Sequence, residues 1–266
     1  MTELVFLKLG GSLITDKDKP FTARLDKLAE LANEIASAWT PERRLVLGHG
    51  SGSFGHAAAK QYGTRNGVGA GSPRPYWGGF AEVWYQASQL NRFVMESLRA
   101  AGLPAIALAP VSAVTSRNVR VAQWDLTPIR SALEAGLLPV VYGDVTFDEV
   151  RGGTILSTED LFAHLARHLR PQRILLAGME AGVWEDFPAR SRLMDRISSQ
   201  SYEAMRDGIG ASASVDVTGG MAAKVGQMFE LIHEVPGLTA EIFSAEKAGN
   251  LARALAGEQV GTKLQA

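Results

Sequence analysis

Three stretches combine glycine with cations in the way a phosphate site requires: "KLGGS" (8–12), "GHGSGSFGH" (48–56) and "DVTGGMAAK" (216–224). In the first, Gly10 and Gly11 free backbone N–H groups to face an anion, Ser12 follows, and Lys8 brings a charge able to bridge phosphate oxygens. The same residues also read as a strand ending in a glycine turn beside a solvated lysine. In the second, Gly50, Ser51 and Gly52 precede "HAAAKQYG", so free amides meet the positive end of a helix. His56 stands where that loop becomes helix, while His49, at a strand end, reads as structural. In the third, Gly219 and Gly220 open a helix and Lys224 lies one turn in. Asp144, just past "VVYG", is either a turn and helix cap or an orienting partner for a lysine, and Lys17 in "ITDKDKP" reads by itself as a surface lysine. None of these loops is a dinucleotide G-x-G-x-x-G or a P-loop, and there is no metal-ligand spacing and no G-x-S-x-G elbow.

The elements that must hold these loops alternate. Apolar runs at 3–10, 43–48, 104–109, 137–143, 173–178 and 240–245 have strand length. Stretches 24–39, 80–102, 125–136, 157–169 and 219–235 carry apolar residues three and four apart. Ser157 with Asp160 forms a capping pattern, and Gly102 and Gly136 mark helix ends. Regular alternation predicts an α/β fold, a three-layer αβα sandwich around a mostly parallel sheet. Ligands then belong beyond the strands' carboxyl ends, in the loops after 9, 48, 143 and 178. Residues 63–79 show no clear period and read as a lid or binding loop.

Composition narrows the class. With 266 residues and 46% hydrophobic content the chain buries a sizeable core. Its 27 basic residues against 28 acidic ones leave no global field for nucleic acid or a membrane surface. The absence of cysteine excludes disulfides, thiolate metal sites and cysteine nucleophiles. No run reaches the length of a membrane span and the N-terminus carries no leader pattern, so a cytoplasmic protein is expected.

In order, "KLGGS", "HGSGSFGH", "YGD", "LSTED" and "DVTGGMAAK" resemble the amino-acid kinase superfamily, most closely its kinases of isopentenyl phosphate, over essentially the whole chain. The loop ending in His56 resembles relatives whose acceptor is itself a phosphate or phosphonate. The resemblance implies a single domain over 1–266, with about 1–170 binding the acceptor and 171–266 the nucleotide. It implies transfer of the γ-phosphoryl group of ATP, with Mg²⁺, to isopentenyl phosphate, giving isopentenyl diphosphate and ADP. By similarity Lys8 and Lys17 contact the transferring group, Lys224 the nucleotide phosphates, and Asp144 holds the lysines. Gly10, Gly11, Ser12, Met179, Gly219 and Gly220 are placed at the nucleotide. Gly11, Gly50, Ser51, Gly52, His56 and Ser157 are placed at the acceptor, with Phe80 and Val83 as a wall for its apolar tail, although an aromatic helix face of this kind more often reads as core. A homodimer is implied as well.

The chain departs from the family pattern at three places. Ser51 replaces a glycine, Met179 and Ala181 replace both acidic positions of a T-D-V-D-G-V-like loop, and "SAEK" (244–247) replaces an N-G-N-K-like stretch. Two alternatives stand beside the main reading: a kinase of fosfomycin or another small phosphate monoester, and a catalytically silent phosphate-binding protein.

Overall fold

Leu4–Leu9 (β1) is buried at every position, as a strand covered by helices on both faces must be. The computed structural model describes residues 3–40, 43–69, 73–187, 189–205 and 220–266. From β1 the chain continues through α1 (Gly11–Ile14), α2 (Leu25–Ala38), β2 (Arg44–His49), α3 (Gly52–Tyr62) and α4 (Pro73–Ala100). Next come β3 (Ala105–Ala107), β4 (Val114–Arg117), β5 (Arg120–Trp124), α5 (Thr127–Glu134), β6 (Leu138–Tyr142), β7 (Asp144–Asp148) and β8 (Gly152–Leu156). The remainder is α6 (Thr158–Leu169), β9 (Arg173–Gly178), β10 (Arg196–Ser198), α7 (Ser199–Met205), α8 (Met221–Glu234), β11 (Thr239–Ser244), α9 (Asn250–Ala256) and β12 (Thr262–Gln265).

The main sheet has the order β10-β12-β11-β9-β1-β2-β6-β3. Its pairs are parallel except β11 with β12. Side chains alternate along β1. Val5, Leu7 and Leu9 enter a cluster with residues of α2, α4 and α9, while Leu4 and Phe6 enter one with residues of α5, α6 and α8. The two-residue period puts Lys8 on the second face, at the strand's carboxyl end. The sandwich is therefore the expected one, and both apolar clusters draw residues from either side of residue 170.

A second sheet, β5-β4-β7-β8, is absent from the sequence expectation. Its β4 alternates buried and exposed residues, so it lacks the apolar run that marked the central strands. Asn118 and Val119 both take positive φ, 49° and 65°, as a tight hairpin requires. Asp148 clamps this corner by accepting from the backbone N–H groups of Asn118, Val119, Val150 and Arg151 and from the Ser116 hydroxyl. Against the cost of burial, those bonds hold its carboxyl well below the ordinary range.

The expected long loop at 63–79 is a correction. It is shortened by α4, which begins at Pro73, seven residues before the predicted start. Proline fits a first helical turn because the missing N–H has no partner there in any case. Of the remainder, Thr64–Asn66 forms a single 3-10 turn.

Candidate active site

The two loops after β1 and β2 pack backbone against backbone. A Cβ at Gly11 would enter the backbone of Gly52, and one at Gly50 would stand 2.9 Å from the amide nitrogen of Gly11. Gly52 also has φ +49°, which glycine adopts without strain. Thr15 joins the pair: its hydroxyl donates to Gly11 O at 2.7 Å and accepts from the Ser53 amide at 3.0 Å. These glycines thus serve close packing of the loops as well as bare amides. His49 is fully buried, its Nδ1–H donating to Gly50 O at 3.1 Å, its Nε2 3.1 Å from the Asn91 amide, its ring stacked on Tyr142. Burial pushes its pKa down, leaving a neutral ring that pins the loop to α4.

Beside the loops lies a cavity of about 540 Å³. It gathers expected residues from three of the four predicted loops, those after 9, 48 and 178, as Lys8, Gly10, Gly11, Ser12, Lys17, Gly50, Ser51, Gly52, His56 and Met179, and adds Val83, Ser157 and Lys224. Lys17 is exposed at the side and Lys224 partly buried.

The charge in the cavity lining is organised by a residue that the motifs did not single out. The Ser157 hydroxyl accepts from the Asp160 amide at 3.1 Å, and the Asp160 carboxylate accepts from the Ser157 amide at 2.8 Å, which is a complete capping box. The Thr158 hydroxyl donates to His49 O at 2.6 Å, tying this helix start to the end of β2. Glu159, next in line, forms a buried ion pair with Lys8. Burial opposes its ionisation, yet the charges of Lys8 and Lys224 together outweigh it and hold the carboxyl below its ordinary range. Its Oε2 has no hydrogen-bond partner.

Asp144 corrects the expectation that it holds the lysines. It is fully buried outside the cavity lining, its Oδ1 accepts from the Val145 amide at 2.8 Å, and its Oδ2 is unpartnered. Burial pushes its pKa up to about 7. The pairing it was expected to make with Lys8 is made by Glu159, because the two-residue period turns Lys8 toward α6.

Part of the wall is apolar, with Ala59, Val83 and Ile155 lining the cavity. Phe80 is corrected to a supporting place. It is 7% exposed and lies behind that wall, 5.2 Å from Phe147 and 5.3 Å from Trp77 between ring centres. Lys60 and Arg65 also line the cavity and were missed. Lys60 was discoverable, since it stands four residues after His56 on the same helix face. Arg65 was not, because its 3-10 turn fell within the stretch without period.

The lining also includes Gly178, Met179, Glu180, Arg190 and Met221. Gly220 does not line the cavity but is the N-cap of α8, setting Lys224 one turn in. Gly219 and Asp216 lie outside the described residues. The departing "SAEK" stretch contributes Glu246, which pairs with Arg24 and lies 3.7 Å from Lys27.

The amino acid kinase family matches residues 3–244. The chain is 36% identical to an isopentenyl phosphate kinase of Methanothermobacter thermautotrophicus and 35% identical to one of Haloferax volcanii, each over 98% of both chains. It superposes on a solved isopentenyl phosphate kinase with a TM-score of 0.85 at 33% identity, covering 98% of this chain and 100% of that one. An N-acetylglutamate synthase from Neisseria gonorrhoeae, 13% identical with a TM-score of 0.70, shares the fold alone. On that identity, coverage and fold, the chain belongs to the amino acid kinase family.

Proposed function

We propose that the chain transfers the γ-phosphoryl group of ATP to the phosphate of isopentenyl phosphate, releasing isopentenyl diphosphate and ADP. The observation that carries this reading is one cavity lined both by the charged set Lys8, Glu159 and Lys224 and by His56 with the apolar Ala59, Val83 and Ile155. The related isopentenyl phosphate kinases support the same acceptor.

An acceptor phosphate oxygen attacks the γ-phosphorus, and the bond from that phosphorus to the bridging oxygen breaks, leaving the electron pair on ADP. A phosphate monoester is already largely ionised near neutral pH, its second pKa being about 6, so no general base is required. The difficulty is repulsion between two polyanions, and catalysis is positioning plus charge stabilisation. His56 donates a hydrogen bond to the acceptor phosphate, while Lys17 meets the transferring group from the cavity's edge. Lys8 and Lys224 stabilise charge on the γ- and β-phosphates, with amides of Gly10 and Gly11 completing the cradle. Ser51 adds a hydroxyl donor, and Ser157 closes the acceptor side. Glu159 offsets the charge of the two lysines and holds Lys8 in direction between turnovers.

The metal is handled by the nucleotide. Among the described residues no group of three or more His, Asp or Glu is able to cage an ion, and the cavity carboxylates Glu159 and Glu180 already hold Lys8 and Arg190. Mg²⁺ therefore fits as a companion of the ATP phosphates, where it neutralises charge, and no step here runs through a protein ligand to it.

We read the protein as a cytoplasmic homodimer acting on small molecules, with no nucleic-acid or membrane partner. Among the described residues no helix is long and apolar enough to cross a membrane. An ADP-release assay with Mg-ATP across isopentenyl, dimethylallyl and geranyl phosphates and fosfomycin tests the reading. Isopentenyl phosphate is expected to have the highest kcat/KM; preference for fosfomycin, or no turnover of any acceptor, would overturn it.

A further inference from the structure

Met179 and Ala181 occupy both positions where the family pattern is acidic, but the residue between them is Glu180, and it lines the cavity. The segment that follows folds back on itself. Trp184 bridges to Leu193, the Glu185 amide donates to Arg192 O at 3.0 Å, and the Met194 amide donates to Val183 O at 2.9 Å. The Asp186 carboxylate accepts from the Ser191 and Arg192 amides to hold the turn. At its end Arg190 adopts φ 55°, an uncommon conformation for a long side chain. This brings Arg190 Nη2 to 3.1 Å from Glu180 Oε1, while Trp184 Nε1 donates to Glu180 Oε2 at 3.2 Å.

A carboxylate has about four acceptor sites, two on each oxygen. With one partner on each, Glu180 faces the cavity with an acceptor site left on both oxygens. That arrangement fits two O–H donors on adjacent carbons. Phosphates would be repelled by it, an adenine amino group offers a single nitrogen, and the thioethers of Met179 and Met221 supply apolar surface for the faces of a base. We propose that Glu180 binds the vicinal 2′- and 3′-hydroxyls of the nucleotide's ribose, with Trp184 and Arg190 as its positioning residues. The proposal rests on the kinase reading above and names how this chain replaces the two missing acidic positions.

Calorimetric titration of the full chain with ADP, 2′-deoxy-ADP and inosine diphosphate tests it. Wild type is expected to bind ADP about tenfold more tightly than 2′-deoxy-ADP, the scale of one hydrogen bond to a charged group. Glu180→Ala should reduce that ratio to within about twofold, leaving the ADP to inosine diphosphate ratio unchanged. Trp184→Phe, which keeps the ring and removes the N–H, should narrow the ribose preference part-way; a merely structural role would weaken ADP and 2′-deoxy-ADP equally. Equal weakening of both ligands by Glu180→Ala, or loss of the inosine discrimination instead, would overturn the assignment. Wild type that bound ADP and 2′-deoxy-ADP alike would sink the ribose contact alone, whereas wild type that bound no nucleotide would sink the kinase reading with it.

Discussion

Replacing Glu159 by Gln preserves shape and one carbonyl oxygen while removing the charge that Lys8 is buried against. The two side chains are 5% and 10% exposed, so the ammonium left behind has little water to turn to. Breaking a buried pair by removing one partner costs about 3–5 kcal/mol, and the retained carbonyl keeps the loss near the lower figure. At about 2–4 °C per kcal/mol for a chain of this size, the midpoint of thermal unfolding should fall by about 6–12 °C. If, as proposed, nucleotide phosphates lie against Lys8 and Lys224, they return negative charge there, so saturating ADP should raise the melting point of the variant more than that of wild type. Turnover should fall about 10²-fold, the scale of losing one preorganised charge, because Lys8 no longer has a fixed direction. The pH dependence has a definite sign. Glu159 is held below its ordinary 4.5, so its contribution is present above that value and lost as pH falls through the depressed one. The gap between wild type and Glu159→Gln should therefore close on acidification below about pH 4.5. Differential scanning fluorimetry with and without ADP, together with steady-state kinetics, measures all of this. Equal ADP-induced shifts in the two proteins, or unchanged turnover, would refute the reasoning.

Three other expectations follow from the same geometry. His56→Ala should lower kcat/KM for the phosphate acceptor by about 10²-fold while the KM for ATP stays within about twofold; initial-rate kinetics with each substrate varied would expose an unchanged acceptor dependence. Asp144→Asn should stabilise the chain at pH 8 without lowering kcat more than a few-fold. Its carboxyl moves from 3.8 to about 7 on folding, so the folded state gives up stability as pH rises through that window, by about 4 kcal/mol at about 1.4 kcal/mol per pH decade. Urea melts at pH 5 and pH 8 should show the variant's advantage larger at pH 8 by about 3 kcal/mol, since pH 5 lies within the lower part of that window, and a variant less stable than wild type at pH 8 would contradict the assignment. Val83→Ala should widen the apolar wall and shift kcat/KM toward geranyl phosphate by about tenfold or more relative to isopentenyl phosphate, the scale of pocket discrimination by a methylene; an unchanged ratio would place the tail elsewhere.

Much of the central architecture is legible in the residue pattern, because strands such as β1 are buried on both faces and leave an unbroken apolar run. The second sheet is not, since β5 has exposed and partly buried residues throughout and its pairing depends on a clamp at Asp148 that no local pattern announces. The start of α4 was hidden by Pro73 and Pro75, which look like loop residues until a first helical turn accommodates them. Among the site residues, the glycine loops and their lysines were visible because anion binding needs those types at strand ends. Glu159 was inside a quoted motif and still went unremarked, because its partner lies 151 residues away and only the shared face of β1 and α6 joins them. Asp144 shows the converse: a carboxylate one residue beyond a glycine at a strand end looks functional, yet the adjoining strand β7 carries it into the interior.

Transfer to a phosphate acceptor with a short apolar tail can be followed by ³¹P NMR of the chain with Mg-ATP and isopentenyl phosphate. The monoester signal should disappear in step with the appearance of two coupled diphosphate resonances and of ADP, with no reaction when isopentenol replaces the phosphate. ADP formed without consumption of the monoester, or phosphorylation of the alcohol, would contradict it.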